Sequence, residues 1–266
     1  MSNTVRENFV EIFSAGELHF AETMSDDDEE KKEKEDMKQL LKENRLMSRL
    51  KGKILCIEGN IATGKTTLVN RIKEKMPNIL PLLQVEIVAE SIDESILSEF
   101  NAEPKTFAYK IQDYMLQRRV EAIARAKFLA KQGKCVIMDT GGLREYVFSN
   151  ANKNMGNLTE EQRLFLWNKF TKLHDETNNA VPNIIVLLVC TSLVCMDNIK
   201  HRNRTNETAL SIDYIEEIRR LYEFAVTIPE ESLNSKGQAC RIVSVDVTND
   251  YADADSVIDI MCSFKE

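Results

Sequence analysis

The chain is poor in glycine and proline, with 9 and 5 among 266 residues. That excludes a collagen-like or Pro/Gly-rich low-complexity chain. Basic residues are outnumbered, 35 Lys plus Arg against 43 Asp plus Glu, for a formal net charge of −8. A general nucleic-acid binder needs a basic face, so no nucleic-acid partner is expected. No apolar run approaches the roughly 18 residues of a membrane span. The longest, Ile184 to Cys190, has the length of a strand, and no membrane partner is expected. The three histidines (His19, His174, His201) show no ligand spacing with the six cysteines, and no CxxC pair occurs. A zinc site is therefore not expected, and reduced, buried thiols are. No signal peptide opens the chain, and its acid-rich start is the opposite of a mitochondrial transit peptide. A cytoplasmic or nuclear protein is the expectation.

What is present divides into two textures. Through Leu50 the chain carries 13 acids and 8 bases, a net charge of 8 − 13 = −5, concentrated in Ser25 to Asp36. Such a run buries too little apolar surface to offset its ordering entropy, so residues 1–50 read as a disordered or partly helical extension. Residues 51–266 read as one domain, long enough for a sizeable core. Here strands at 53–58, 84–89, 134–139, 184–190 and 241–245 alternate with helical stretches. Pro104 suits the first turn of a helix that runs to about Lys131. Thr159-Glu160-Glu161-Gln162 has the form of a capping box, and Ser211 can cap a helix to Phe224. Alternation of this kind predicts an α/β fold with a parallel sheet.

Between the first strand and the helix that follows lies Gly59-Asn60-Ile61-Ala62-Thr63-Gly64-Lys65-Thr66. It fits the phosphate-loop pattern G-x-x-x-x-G-K-[ST] in the strand-to-helix context that pattern requires. Glycines let the backbone approach an anion, and N–H groups at the helix start face it. Lys65 would then bridge the β- and γ-phosphates of a nucleoside triphosphate, and Thr66 would ligate Mg²⁺. The motif alone leaves GTPases, ATPases and small-molecule kinases open.

Four stretches carry a resemblance. IEGNIATGKTT at 57–67, ending in Thr67, looks like the phosphate loop of the deoxynucleoside kinase family. LVCMDNIKHRNRTNETALSIDYI at 193–215 resembles that family's lid, with its R-x-R-x-x-E core. IVSVDVTNDY at 242–251 resembles the loop that holds the ATP adenine, and YVFSNANKNMGNL at 146–158 the segment after the third strand. The resemblance spans about residues 51 to 264. It implies a P-loop kinase fold, with five parallel strands flanked by helices and an Arg-containing lid. It also implies ATP- and Mg²⁺-dependent phosphorylation of a deoxyribonucleoside 5′-hydroxyl, by a homodimer.

The residues this resemblance assigns can be named one by one. Glu90 would be the base that takes the 5′-hydroxyl proton. Arg202 and Arg204 would be lid cations, with Arg202 also on ATP, and Glu207 would accept from the sugar 3′-hydroxyl. Gln112 would read the nucleobase edge, with Arg119 on the same helix face and Phe148 as an aromatic wall. Asp139 would hold Mg²⁺ with Thr66. Asp246 and Asp250 belong to the adenine loop. The chain also departs from the family. Ser91 stands where relatives have Pro, Asn101 where they have Tyr, Ile111 where they have an aromatic, and Asn198 where they have Arg. Asp139-Thr140-Gly141 lacks the Arg of the family's acidic-Arg-Ser triplet, and Arg144 would reach the same space from the next helix. Two other readings share the motifs: a nucleoside monophosphate kinase of the thymidylate type, and a non-catalytic kinase-like binding or assembly protein.

Overall fold

The computed structural model describes residues 28–90, 92–176, 182–204, 207, 210–227, 240–250 and 252–263. The chain forms two compact units, residues 1–42 and 43–266. In the first, Asp28 to Lys42 are helical, and residues 1–27 of the extension expected to be disordered or partly helical lie outside the described residues. Helix α1 (Asp28–Leu50) continues into the second unit. Leu46, Met47 and Leu50 in the last turns of α1 pack into the core of that unit, and Leu50 is 2% exposed.

The second unit alternates as the sequence predicts. In chain order it contains β1 (Ile54–Gly59), α2 (Lys65–Ile79), β2 (Val85–Val88), α3 (Glu94–Ala102), α4 (Pro104–Lys131), β3 (Cys135–Met138) and α5 (Leu143–Asn154). It continues with α6 (Glu160–Glu176), β4 (Ile184–Val189), α7 (Ser192–Arg202), α8 (Ile212–Ala225), β5 (Arg241–Asp246) and α9 (Ala254–Cys262). The five strands form one parallel sheet in the order β2-β3-β1-β4-β5. β1 is central, with Cys56 paired to Met138 on one side and Ile185 on the other. The uninterrupted apolar sequences ILCI, CVIM and IIVLLV follow from burial on both faces.

Period-two alternation sends the strand side chains into two cores. Ile54, Cys56, Val136, Met138, Ile185 and Leu187 face α4, α5, α6 and α8. Leu55, Ile57, Cys135, Ile137, Val186 and Leu188 face α2, α7 and α9. Phe128, counted with the helical spacing of α4, is instead 62% exposed near that helix's end. The capping box forms as expected: Gln162 N–H donates to Thr159 Oγ1 at 3.1 Å, and Thr159 N–H to Gln162 Oε1 at 2.9 Å. Asp93, Thr191 and Ser211 cap α3, α7 and α8 through their side chains. α2 differs. Its N-cap is Gly64 at φ 87°, with no side-chain cap and no acid in the first turn.

One polar group interrupts the first core. Glu58 continues the Ile54–Cys56 face of β1, so its carboxylate enters the interior at 0% exposed. Oε1 accepts from Gly141 N–H at 2.8 Å, and Oε2 from Tyr222 O–H at 3.1 Å. Burial pushes this carboxyl above the usual range. The close approach needs glycine at 141: a Cβ there would stand 2.6 Å from Cys56 Sγ and 3.0 Å from Glu58 Oε1. Gly141→Ala is expected to destabilise the fold by about 1–3 kcal/mol, the usual cost of overpacking a core. At the neighbouring Gly142 a Cβ meets Phe170 at an ordinary 3.4 Å, so Gly142→Ala should stay close to wild type. Urea denaturation midpoints of both variants check this.

Candidate active site

The carboxyl ends of β1, β2 and β3 open onto one cleft, where open α/β sheets bind ligands. The cleft is a cavity of about 770 Å³. Its floor is the phosphate loop: Ile61, Ala62, Gly64, Lys65, Thr66 and Thr67 line it, while Gly59, Asn60 and Thr63 lie behind the surface. The uncapped start of α2 leaves N–H groups directed at this space. A helix start without its side-chain cap forgoes about 1 kcal/mol, which an anion there can offset. Lys65 Nζ donates to the carbonyls of Gly59 and Asn60 at 2.9 and 2.5 Å. Its lost hydration and the nearby Arg144 pull the ammonium down to about 7.

Facing the loop is a chain of buried charges. Glu90, just past β2, has a side chain 2% exposed. Its Oε1 lies 3.1 Å from Arg119 Nε, and its Oε2 lies 3.7 Å from Arg144 Nη1. Arg119, on α4, pairs through Nη1 with Glu145 on α5, which is fully buried. Burial drives the Glu145 carboxyl above its usual range, with Arg119 opposing. Glu90 N–H donates to Asp139 Oδ1 at 3.1 Å, tying the ends of β2 and β3 together. Desolvation raises Asp139 as well. Breaking a buried pair of this kind by removing one partner typically costs about 3–5 kcal/mol, so the set behaves as a unit.

The remaining walls come from helices. Gln112 is 4% exposed on α4, lines the cleft, and its Oε1 has no hydrogen-bond partner among the described residues. Ile111, Met115 and Phe148 are apolar wall, and the Arg144 guanidinium lies 4.8 Å from the Phe148 ring centre. At the lid, Arg202 Nη2 lies 2.5 Å from Glu207 Oε2, and Arg204 Nη1 lies 3.8 Å from Oε1. All three residues line the cleft.

Most of the residues singled out in the sequence are thus brought together. Lys65, Thr66, Thr67, Glu90, Gln112, Arg119, Asp139, Arg144, Phe148, Arg202, Arg204 and Glu207 share one cavity. Asp246 does not: it is exposed, accepts from Thr248 N–H at 2.8 Å, and borders a separate groove with Cys190 and Glu216. Asp250 is also exposed and outside the cleft lining, and Ser91 lies outside the described residues. Sequence reasoning missed Glu58 and Glu145. Glu58 left a signal, a lone acid on the inward phase of an apolar strand. Glu145 left none, since a polar residue in the amphipathic α5 reads as solvent-facing.

Oxygen ligands of the kind Mg²⁺ takes are present on the cleft, the Thr66 hydroxyl and the Asp139 carboxylate. Among the described residues no group of three or more His, Cys, Asp or Glu could hold a metal ion alone. The donor set therefore fits an ion that completes its shell with phosphate and water oxygens. No helix among the described residues is long and apolar enough to cross a membrane.

Comparison with known proteins gives a consistent picture. A family model described as deoxynucleoside kinase matches residues 55–265. The chain is 24% identical over 175 residues to a deoxyguanosine kinase of Dictyostelium discoideum, covering 64% of this chain and 58% of that one. It is 26% identical over 175 residues to a deoxyadenosine kinase of the same organism, covering 65% and 66%. These matches therefore span less than two thirds of either relative's length. Against deoxycytidine kinase of Homo sapiens the identity is 24% over 229 residues, 76% of this chain and 86% of the relative. Among solved structures, deoxyadenosine kinase from M. mycoides with bound dATP superposes with a TM-score of 0.58 at 19% identity. It covers 79% of this chain and 96% of that one, and shares the fold. With the family model spanning well over half of its length, this protein belongs to the deoxynucleoside kinase family.

Proposed function

We propose that this protein transfers the γ-phosphoryl group of ATP to the 5′-hydroxyl of a deoxyribonucleoside. The observation that carries the reading is a single cleft with an uncapped phosphate loop on its floor and the buried Glu90 carboxylate on its wall. Phosphoryl transfer asks little covalent chemistry of a protein, and mostly positioning and charge neutralisation. Loop N–H groups and Lys65 would cradle the β- and γ-phosphates. Thr66 and Asp139 would hold Mg²⁺, which supplies neutralisation of phosphate charge when bound. Glu90 would take the proton of the attacking 5′-oxygen, with Arg119 and Arg144 fixing its carboxylate.

The nucleoside would lie along α4. Gln112, with an amide that donates and accepts at once, suits a base edge. Phe148 would stack on the base, and Arg144 on that ring would supply the cation that Thr140 does not. Arg119 lines the cleft with Nε and Nη1 engaged by Glu90 and Glu145. Glu207 would accept from the 3′-hydroxyl, which would loosen its hold on Arg202 and Arg204 and free them for the transferring phosphoryl group. Asp246 and Asp250 would border the adenine. The monophosphate product would enter DNA precursor synthesis.

A homodimer through α4 and α6 is part of this proposal. On α6, Leu164 is 43% and Phe165 57% exposed, and Phe165 lies 6.4 Å, centre to centre, from Tyr109 of α4. Adjoining exposed apolar side chains of this kind mark interaction surfaces.

Two outcomes are expected. Purified protein with ATP and Mg²⁺ converts at least one of thymidine, deoxycytidine, deoxyadenosine and deoxyguanosine to its monophosphate, read by chromatography. Lys65→Ala and Glu90→Gln each lower that turnover by about 10²-fold or more. Diphosphate from thymidine monophosphate, with no nucleoside used, overturns the reading. In light-scattering chromatography the wild type elutes at twice the 30.5 kDa chain mass, and Phe165→Glu shifts it to the single mass.

A further inference from the structure

The phosphate loop and the lid are joined by a hydrogen bond that the motifs do not announce. Asn198 Nδ2, on α7, donates to the carbonyl of Ala62 at 3.0 Å. Ala62 is one of two non-glycine residues with positive φ among the described residues, at φ 62°. That left-handed conformation disfavours a side chain, and it persists only where the surroundings hold it. Asn198 itself lines the cleft.

The rest of the loop shows why this bond matters. An anion site made of backbone needs N–H groups inward and carbonyls turned away, since a carbonyl oxygen facing a phosphate repels it. Four of the loop's carbonyls, those of Gly59, Asn60, Ala62 and Gly64, have a donor. Gly59 and Asn60 receive Lys65 Nζ, Asn60 also receives Thr63 Oγ1, and Gly64 receives Leu68 N–H. The Ala62 carbonyl receives Asn198 Nδ2. A second bond ties the loop to the far side of the lid, where Asn60 Nδ2 donates to the carbonyl of Ile215 on α8 at 2.8 Å. The loop is thus fastened to the helix before the lid and to the helix after it.

The consequence for α7 follows from helix geometry. Asn198 and Arg202 are four residues apart, on one face. Fixing the Asn198 side chain on the loop fixes the rotation of that face, and with it the starting direction of Arg202. The short amide reaches the carbonyl and adds no charge to the cleft.

We infer that Asn198 is a positioning residue that ties the lid helix to the phosphate loop and holds Ala62 in its left-handed conformation before ATP arrives. This rests on the proposed ATP site. It makes the chain's departure from the family Arg a replacement of charge by a hydrogen-bonded strap.

The test uses the full chain and a non-hydrolysable ATP analogue with Mg²⁺, titrated calorimetrically, so that it needs no nucleoside and no turnover. Asn198→Ala is expected to weaken analogue binding about threefold to tenfold, the effect of one hydrogen bond, with the melting temperature lowered by only about 2–4 °C. Glycine adopts positive φ without strain, so Ala62→Gly added to Asn198→Ala should restore most of the lost affinity. Equal affinity of Asn198→Ala and wild type overturns the inference, and so does failure of Ala62→Gly to restore it. Absence of analogue binding to the wild type overturns the ATP site itself, and the strap with it.

Discussion

Everything at the mouth of this sheet depends on placing carboxylates where water does not reach them. Glu58, Glu145 and the Glu90 side chain are buried and Asp139 is half-buried, and three of the four are pushed toward the neutral form by lost hydration. Isolated buried carboxylates would simply protonate. Here Arg119 pairs with Glu90 and Glu145, Arg144 approaches Glu90, and backbone N–H groups serve Glu58 and Asp139. Strand ends, two helices and the phosphate loop are locked in register by these few contacts. Glu90 consequently stands in a fixed position, which its proposed role as the base requires.

The same logic separates the stiff parts from the receptive ones. Helices α3, α6, α7 and α8 have their starts closed by side chains. α2, like α4 and α5, has no such cap, and its start is the one in the phosphate loop on the cleft floor, where orphan N–H groups can meet a ligand. At the lid, Arg202 and Arg204 share Glu207, an arrangement in which a substrate hydroxyl can compete for the carboxylate. Stability is concentrated beneath the cleft, and unsatisfied binding capacity at its surface.

Much of this was legible beforehand, for identifiable reasons. Apolar runs without polar alternation announced strands buried on both faces, and the sheet contains each of them. The phosphate loop carries its context in its own sequence, and the Thr159–Gln162 box formed as written. Pairings between distant segments were not legible. Arg119 could be placed on the face of Gln112, but its burial between Glu90 and Glu145 depends on the packing of α4 on α5. Helix α3 escaped notice, since ESILSEFNA is short and follows an acid-rich turn. Asn198 showed only that an Arg was missing. Its bond to Ala62 comes from a backbone conformation that no spacing encodes. Asp246 and Asp250 lie off the cleft lining, at and beyond the end of β5 on the far side of β4.

The central claim is that one cleft holds both substrates with Glu90 at the acceptor oxygen. A crystal structure with a deoxynucleoside and a non-hydrolysable ATP analogue tests it most directly. The account predicts the 5′-oxygen within about 2.6–3.2 Å of the Glu90 carboxylate, and the γ-phosphate at the start of α2 beside Lys65. A nucleoside bound with its 5′-hydroxyl turned away from Glu90, or a triphosphate seated outside the loop, would contradict it.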